Sequence, residues 1–321
     1  MKRRSLLVAA SLAPFAARAQ SGKTYRIGFL ETTSASENRA NLDAFLRGLR
    51  EAGYVEGRNL VIDYRSAEGR SDRFAGLAKD LVRAKPDVIV TRGTPAALAA
   101  RDAGSVPVVM AAAADPIGNK IVTSLPRPGG HVTGLATIVN ELHGKRLEVI
   151  RQVLPYAKQI AYFVNPNNPN STRQATEIAA KAHSLGFETK LYEAKNAETL
   201  QRALDATVRD GAGALLMSVE ALVVANGALI IEFAAKNKLP VMYSSREFVD
   251  KGGFVSYGVH YPDLYYRAAF YVQKILKGAN PGELPIEQPT KLELVINMKT
   301  AAALGIVVPR DLMLRADDVI R

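Results

Sequence analysis

Cysteine is absent from the 321-residue chain, which removes disulfide frameworks and thiolate chemistry and leaves packing as the source of stability. Histidine is scarce: His131, His143, His183 and His260 lack the close spacing of a zinc site, and no run of carboxylates has the form of a calcium loop. No metal and no cofactor is expected. Long apolar runs are missing too. The best candidate, Leu6 to Ala17, is interrupted by Pro14 and falls short of the roughly 20 residues that span a bilayer. Catalytic constellations are also lacking. There is no GxSxG elbow and no HExxH pair, and Gly129-Gly130 lacks the loop lysine of a phosphate-binding P-loop. A secreted α/β enzyme therefore ranks behind a binding protein, and the chain is expected not to be an enzyme.

What stands first along the chain is an export address. Residues 1–19 combine a basic start (Lys2, Arg3, Arg4), a short apolar run and an Ala17-Arg18-Ala19 cleavage signature, so a periplasmic location after removal of the leader is expected. Arg3-Arg4 ahead of Leu6-Leu7 fits the twin-arginine route as well as the ordinary secretory one. The formal charge of +11 falls to +7 once the four basic residues Lys2, Arg3, Arg4 and Arg18 are taken away with the leader. The remaining basic residues alternate with acids, as in Arg47, Arg50, Glu51 and Lys79, Asp80, Arg83. That pattern belongs to solvated helix faces, so no nucleic-acid partner is expected.

From Tyr25 onward, short β-branched runs alternate with amphipathic helices. YRIGFL (25–30), LVIDY (60–64), DVIVT (87–91) and VPVVMA (106–111) read as strands, separated by helices such as the one with Leu42, Phe45, Leu46 and Leu49 on one face. After the Pro/Gly-rich stretch 126–130 a second series follows. Its strands are QIAYFV, FETKLY, GALLMS and PVMYS, and its helices span about 141–154, 170–185, 197–210 and 220–237. The tail adds FVSYG, a helix at about 262–277, LELVIN and a short helix at 299–304. Two βα arrays predict an α/β fold of two Rossmann-like lobes with parallel sheets. The tail would overfill the second sheet, so the chain is expected to recross. The lobes are taken as 20–136 plus 258–288 and 137–257 plus 289–321.

In open parallel sheets ligands gather at the carboxyl ends of strands, which directs attention to the loops after them. Thr94-Pro95 reads as an N-cap and first turn, with Gly93 allowing close approach to the backbone, and a helix start of that kind favours an anionic group. Asp115, with Glu220 from the second lobe, is a candidate acceptor for a ligand ammonium. Asn165 within NPNNP is a candidate donor, while Tyr243 and Tyr257 are candidate stacking partners. Each has a plainer role available, in a cap, a turn or the core.

Five blocks in order carry a resemblance: 44–73, 85–100 (KPDVIVTRGTPAALAA), 115–135 (DPIGNKIVTSLPRPGGHVTGL), 246–258 (REFVDKGGFVSYG) and 263–320. Together the chain resembles the ABC transporter substrate-binding family that includes tryptophan-binding lipoprotein-like members. The resemblance implies a type I periplasmic-binding-protein fold with three crossovers. It also implies capture of a small solute in an interlobe cleft and delivery to an inner-membrane ABC permease with its ATPase; the residues themselves, a polar end at the Thr94 helix start and an apolar or aromatic body at Tyr243 or Tyr257, suggest an amino acid or an aromatic or aliphatic carboxylate, with closure on a hinge. A monomer is expected. The family's cleft loops fall on Thr33, Ser34, Thr91, Thr94, Asp115, Asn165, Ser244 and Tyr257; Glu220 is added from the residues themselves. Departures stand at Ser218-Val219-Glu220 and Gly258-Val259-His260, on loops expected to face the ligand, so the family does not transfer a ligand identity. A sensor presenting its closed form to a membrane receptor is the alternative.

Overall fold

Continuous apolar runs make strands that can be covered on both faces, and Tyr25–Glu31 (β1) is fully buried from Ile27 onward. In the computed structural model, which describes residues 23–166, 168–217 and 220–321, β1 is the second strand of a five-stranded sheet ordered β2-β1-β3-β4-β5. The other strands of the sheet are Leu60–Ser66 (β2), Val88–Arg92 (β3), Val108–Ala114 (β4) and Val132–Thr137 (β5), and every neighbouring pair is parallel. Helices Arg39–Glu51 (α1), Phe74–Arg83 (α2) and Thr94–Ala103 (α3) connect them, as parallel pairing requires. The apolar stripe of α1 (Leu42, Phe45, Leu46, Leu49) packs into the same core as Phe29 and Val90. The export segment and Asn167, Ser218 and Val219 lie outside the described residues.

The second sheet has seven strands, ordered β12-β11-β10-β9-β8-β6-β7. Gln159–Val164 (β6), Glu188–Glu193 (β7), Ala214–Leu216 (β8), Val241–Tyr243 (β9) and Val255–Val259 (β10) run parallel, whereas Leu292–Asn297 (β11) pairs antiparallel to β10 and parallel to Asp318–Ile320 (β12). Val139–Val153 (α4), Pro169–Ser184 (α5), Ala197–Arg209 (α6), Ala221–Ala225 (α7), Gly227–Asn237 (α8) and Arg246–Val249 (α9) belong to this lobe. Both late strands join this sheet, because the antiparallel β11 extends it at β10. What crosses back is helix Tyr261–Leu276 (α10), whose Leu264, Tyr265, Ala268 and Val272 share a core with α1 and β4. Met298–Leu304 (α11) and Arg310–Arg315 (α12) close the second lobe.

The backbone therefore passes between lobes three times, from β5 to α4, from β10 to α10, and through the stretch after α10 that leads into β11. The third of these segments is tied to each of the other two. Leu135 of β5 bridges Glu287, and the His260 N–H bonds to the Lys291 carbonyl at 3.3 Å. The predicted helix at 220–237 is in fact two, broken at Asn226-Gly227, where Asn226 turns its side-chain amide back onto the Leu222 carbonyl at 2.8 Å. No helix among the described residues is long and apolar enough to cross a membrane.

Candidate ligand cleft between the two sheets

The carboxyl ends of β1, β3, β4 and β5 face those of β6 and β8, and a cavity lies between them. It encloses about 60 Å³, less than the roughly 300–1,000 Å³ of small-molecule sites, so a ligand of that size needs the lobes to part. Thr32, Arg92, Thr94 and Tyr261 border it from the first lobe, and Gln174, Glu220 and Val224 from the second.

Glu220 is the buried charge of the second-lobe wall, 6% exposed. Its Oε2 accepts from Asn165 Nδ2 at 3.0 Å, and its Oε1 accepts from Asn168 Nδ2. Burial pushes its carboxyl up to about 7 against those two amide donors. Neutral amides hold the group in place without cancelling its charge, which leaves a cationic ligand group as its natural complement. Across the cavity stands the start of α3. Gly93 occupies the cap position with φ +90°, a conformation that glycine reaches at no steric cost, and its N–H is taken by the Ala112 carbonyl at 2.7 Å. The first-turn amides of Thr94 and Ala96 begin the helix beyond it, at the positive end of its dipole.

Thr94 is not the cap that its sequence position suggested. It is the first helical residue, and its hydroxyl donates to the Ala114 carbonyl at 3.1 Å. Asp115 adopts a left-handed φ of +42° and bridges the lobes to Arg173 at 2.7 Å, at the edge of the cavity rather than in its wall. Asn165 acts behind Glu220. The remaining candidates do not line this cavity. Thr33 offers its carbonyl to the Tyr64 hydroxyl at 2.9 Å, and Ser34 bonds Glu37 on the surface at 3.0 Å. Thr91 is fully buried inside β3, and the Ser244 carbonyl is occupied by Arg146 Nη2 at 3.1 Å. Tyr257 borders a separate surface pocket with Lys145, Leu312 and Arg315. Tyr243 is stacked on Phe248 in the core, with ring centroids 5.5 Å apart. His260, one of the departures from the family, caps α10 by accepting from the Asp263 N–H at 3.2 Å.

Sequence reasoning missed the polar network beside the cavity. Arg92 Nη2 donates to Glu247 Oε2 at 2.9 Å and Nη1 to Oε1 at 3.2 Å, a bidentate pair joining β3 to α9 across the lobes. Asn41 donates to the same carboxylate at 2.6 Å. Burial disfavours the Glu247 charge, but the Arg92 guanidinium outweighs it and holds that carboxyl below its ordinary value. Glu31, fully buried, accepts from the Tyr265 hydroxyl at 2.5 Å, and burial pushes its carboxyl up to about 7. The only sequence signal was TRGTPA itself, which places Arg92 at a strand end; its partner lies 155 residues away.

Residues 27–320 match the family of ABC transporter substrate binding proteins. The chain belongs to this family. The tyrosine-binding protein of Clostridioides difficile (strain R20291) is 28% identical over 261 residues, which make up 81% of this chain and 75% of that protein. Among solved structures, a conserved domain protein from Vibrio cholerae O1 biovar El Tor is 30% identical with a TM-score of 0.85, covering 92% of this chain and all of the other. An ABC domain from Streptococcus pneumoniae, crystallised in complex with L-Trp, is 27% identical with a TM-score of 0.84, covering 93% of this chain and all of the other. The fold is that of a type I periplasmic binding protein, with two α/β lobes of mostly parallel strands. As a family member it is a substrate-binding protein of the ABC transporter type.

Proposed function

We propose that this substrate-binding protein captures a free amino acid in the interlobe cavity and delivers it, from the periplasm, to an ABC importer of the inner membrane. The observation that carries the reading is the pairing of opposite electrostatic ends across one cavity. The Glu220 carboxylate, held by the side-chain amides of Asn165 and Asn168, stands on one wall, and the start of α3 stands on the other. A zwitterion answers both: its ammonium meets Glu220 and its carboxylate meets the helix terminus. The relatives support this, since one is named for tyrosine and another was crystallised with L-Trp. Thr94 and Asp115 belong to the reading as supports, Thr94 by fixing the end of β4 against α3 and Asp115 by bridging to Arg173.

Ligand binding favours the shut arrangement by its differential affinity, with the three interlobe segments as hinges. The shut, liganded monomer then docks on the permease, whose ATPase drives uptake; no catalysis by this chain is involved. Calorimetry of the full mature chain against the free L-amino acids tests the binding step. At least one is expected to bind, and Glu220→Gln should weaken it by at least about 30-fold, as loss of one partner of a buried charge pair does. Equal affinity in the variant, or no binding by any amino acid, would refute it.

A further inference from the structure

The separate pocket beside Tyr257 has a structural cause. Tyr257 stands opposite Leu294 where β10 pairs with β11, and Leu292 is two residues from Leu294 on the same strand, so the three side chains share one face of the sheet. That face is covered from one side by α4, through Val149, and from the other by α12, through Leu312. Between the two helices remains a cavity of about 320 Å³, within the roughly 300–1,000 Å³ of small-molecule sites. These five apolar side chains line it. All of them belong to the second lobe, so this volume, unlike that of the cleft, does not depend on the lobes parting.

The pocket also carries charge of both signs, unevenly satisfied. Arg315, from α12, is held among the described residues by neutral oxygens, those of the Gln152 side chain and of the Asp311 carbonyl at 3.3 Å. Lys145, from α4, is bonded to Glu148 at 2.8 Å. That bond holds the Lys145 ammonium above its ordinary value, and Arg315 opposes the shift, so the two cations lie close enough to repel. Both acids already have donors: Glu148 has Lys145, and Asp317 turns its Oδ2 onto the Leu294 N–H at 2.7 Å. A cationic guest would have to displace one of those donors. An anionic group between Lys145 and Arg315 displaces nothing from an acid-free Arg315 and relieves the repulsion.

We propose that this pocket is a second ligand site, separate from the cleft, for a small molecule with an apolar body and a single anionic head, the body lying against Leu292, Leu294 and Leu312 and the head between Lys145 and Arg315. The apolar lining supplies the affinity, because a body placed there removes its own surface and that of the half-buried Tyr257 and Leu292 from water. The two cations supply the selection for charge sign. The site does not depend on what the cleft holds.

The test titrates the mature protein with anilinonaphthalene sulfonate, an aromatic body with one sulfonate, and follows the dye's fluorescence; circular dichroism checks the fold of each variant. Saturable binding is expected, with decanoate displacing the dye at least about tenfold better than decanol, which has the same chain and no charge. Lys145→Gln and Arg315→Gln should each weaken dye binding by about three- to fivefold, the upper range for an exposed ion pair, whereas Glu148→Gln, which releases Lys145, should tighten it. Leu292→Asp puts a negative charge in the apolar lining and should abolish binding; if it does not fold, the three charge variants carry the test. Glu220→Gln, in the cleft, should leave the dye where it is. No saturable binding, wild-type affinity in both cation variants, weaker binding in Glu148→Gln, or decanol displacing the dye as well as decanoate would overturn the site. Loss of the dye in Glu220→Gln would overturn it too, by putting the dye in the cleft.

Discussion

Gly69 is the place where closure can be blocked without touching the ligand. It sits on the loop between β2 and α2, its N–H bonded to the Thr32 carbonyl at 2.9 Å, and it faces α7 of the other lobe. A Cβ built at this position would lie 2.6 Å from the Ala225 Cβ and 3.3 Å from the Ala221 carbonyl oxygen, and the residue has φ +73°. Gly69→Ala therefore has two separable costs. The left-handed backbone costs an L-residue about 1–2 kcal/mol, whether the lobes are open or shut, so it lowers the melting temperature and cancels from the affinity. The Cβ wedge acts only when α7 is in place. Overpacking of this kind costs roughly 1–3 kcal/mol, which weakens ligand binding about 5- to 150-fold. Gly57→Ala is the control, because its φ of +78° is similar and a Cβ there meets nothing within 4 Å. It should lower the melting temperature by a similar amount and leave the dissociation constant unchanged. Calorimetric titration of both variants decides the matter. If Gly69→Ala binds as tightly as the wild type, the liganded state does not bring the β2–α2 loop against α7, and the closure argument fails.

The pH profile follows from Glu220. Its carboxyl, raised to about 7 by burial, is progressively protonated below that value, while an ammonium needs it ionised. Affinity should thus rise with pH by at most about tenfold per unit up to about 7 and then level off, and Glu220→Gln should flatten the curve. A slope that survives in the variant would assign the titration elsewhere. The same raised groups shape stability: Glu31, Glu220 and Glu293 are all pushed to about 7, in each case chiefly by burial. Between their unfolded values and about 7 the native state holds more protons than the unfolded one. The ligand-free protein should therefore lose stability as pH climbs through that window, and denaturant midpoints at several pH values check the sign. Thr94→Val should change the dissociation constant by less than about threefold, since the hydroxyl bonds the Ala114 carbonyl, which also accepts from Asn119 at 2.9 Å; a larger loss by titration would put the hydroxyl on the ligand. Asp115→Ala breaks a bridge whose side chains are 38% and 39% exposed, so an effect within about 1 kcal/mol is expected, and a larger affinity loss would give that bridge a part in closure.

Most of the architecture was legible because periodicity is a strong signal wherever an element is long. The apolar stripe of α1 and the fully buried runs of β1 and β3 could be placed from residue type alone. The four-residue α9 and the three-residue β12 were not, since neither is long enough to show a period. The direction of the late strands was not legible: β11 joins the second sheet antiparallel to β10, and strand direction leaves no trace in composition. At the cleft, the loops were legible and the side-chain directions were not. Tyr243 ends β9 as expected, whereas Tyr257 lies in the middle of β10; one ring turns into the core and the other borders a surface pocket. Arg92 was visible in a strand-end loop, but its role depends on Glu247 and Tyr261, which only the tertiary fold brings to it.

The central claim is that the cavity recognises both charged ends of one amino acid, and capped ligands test it most directly. With whichever L-amino acid binds the mature protein best, calorimetry should show at least about 30-fold weaker binding for its N-acetyl derivative, which cannot offer an ammonium to Glu220. A loss of at least about tenfold is expected for its amide, which cannot offer a carboxylate to the start of α3. If either capped form binds as well as the free amino acid, the cavity does not hold a zwitterion between Glu220 and α3.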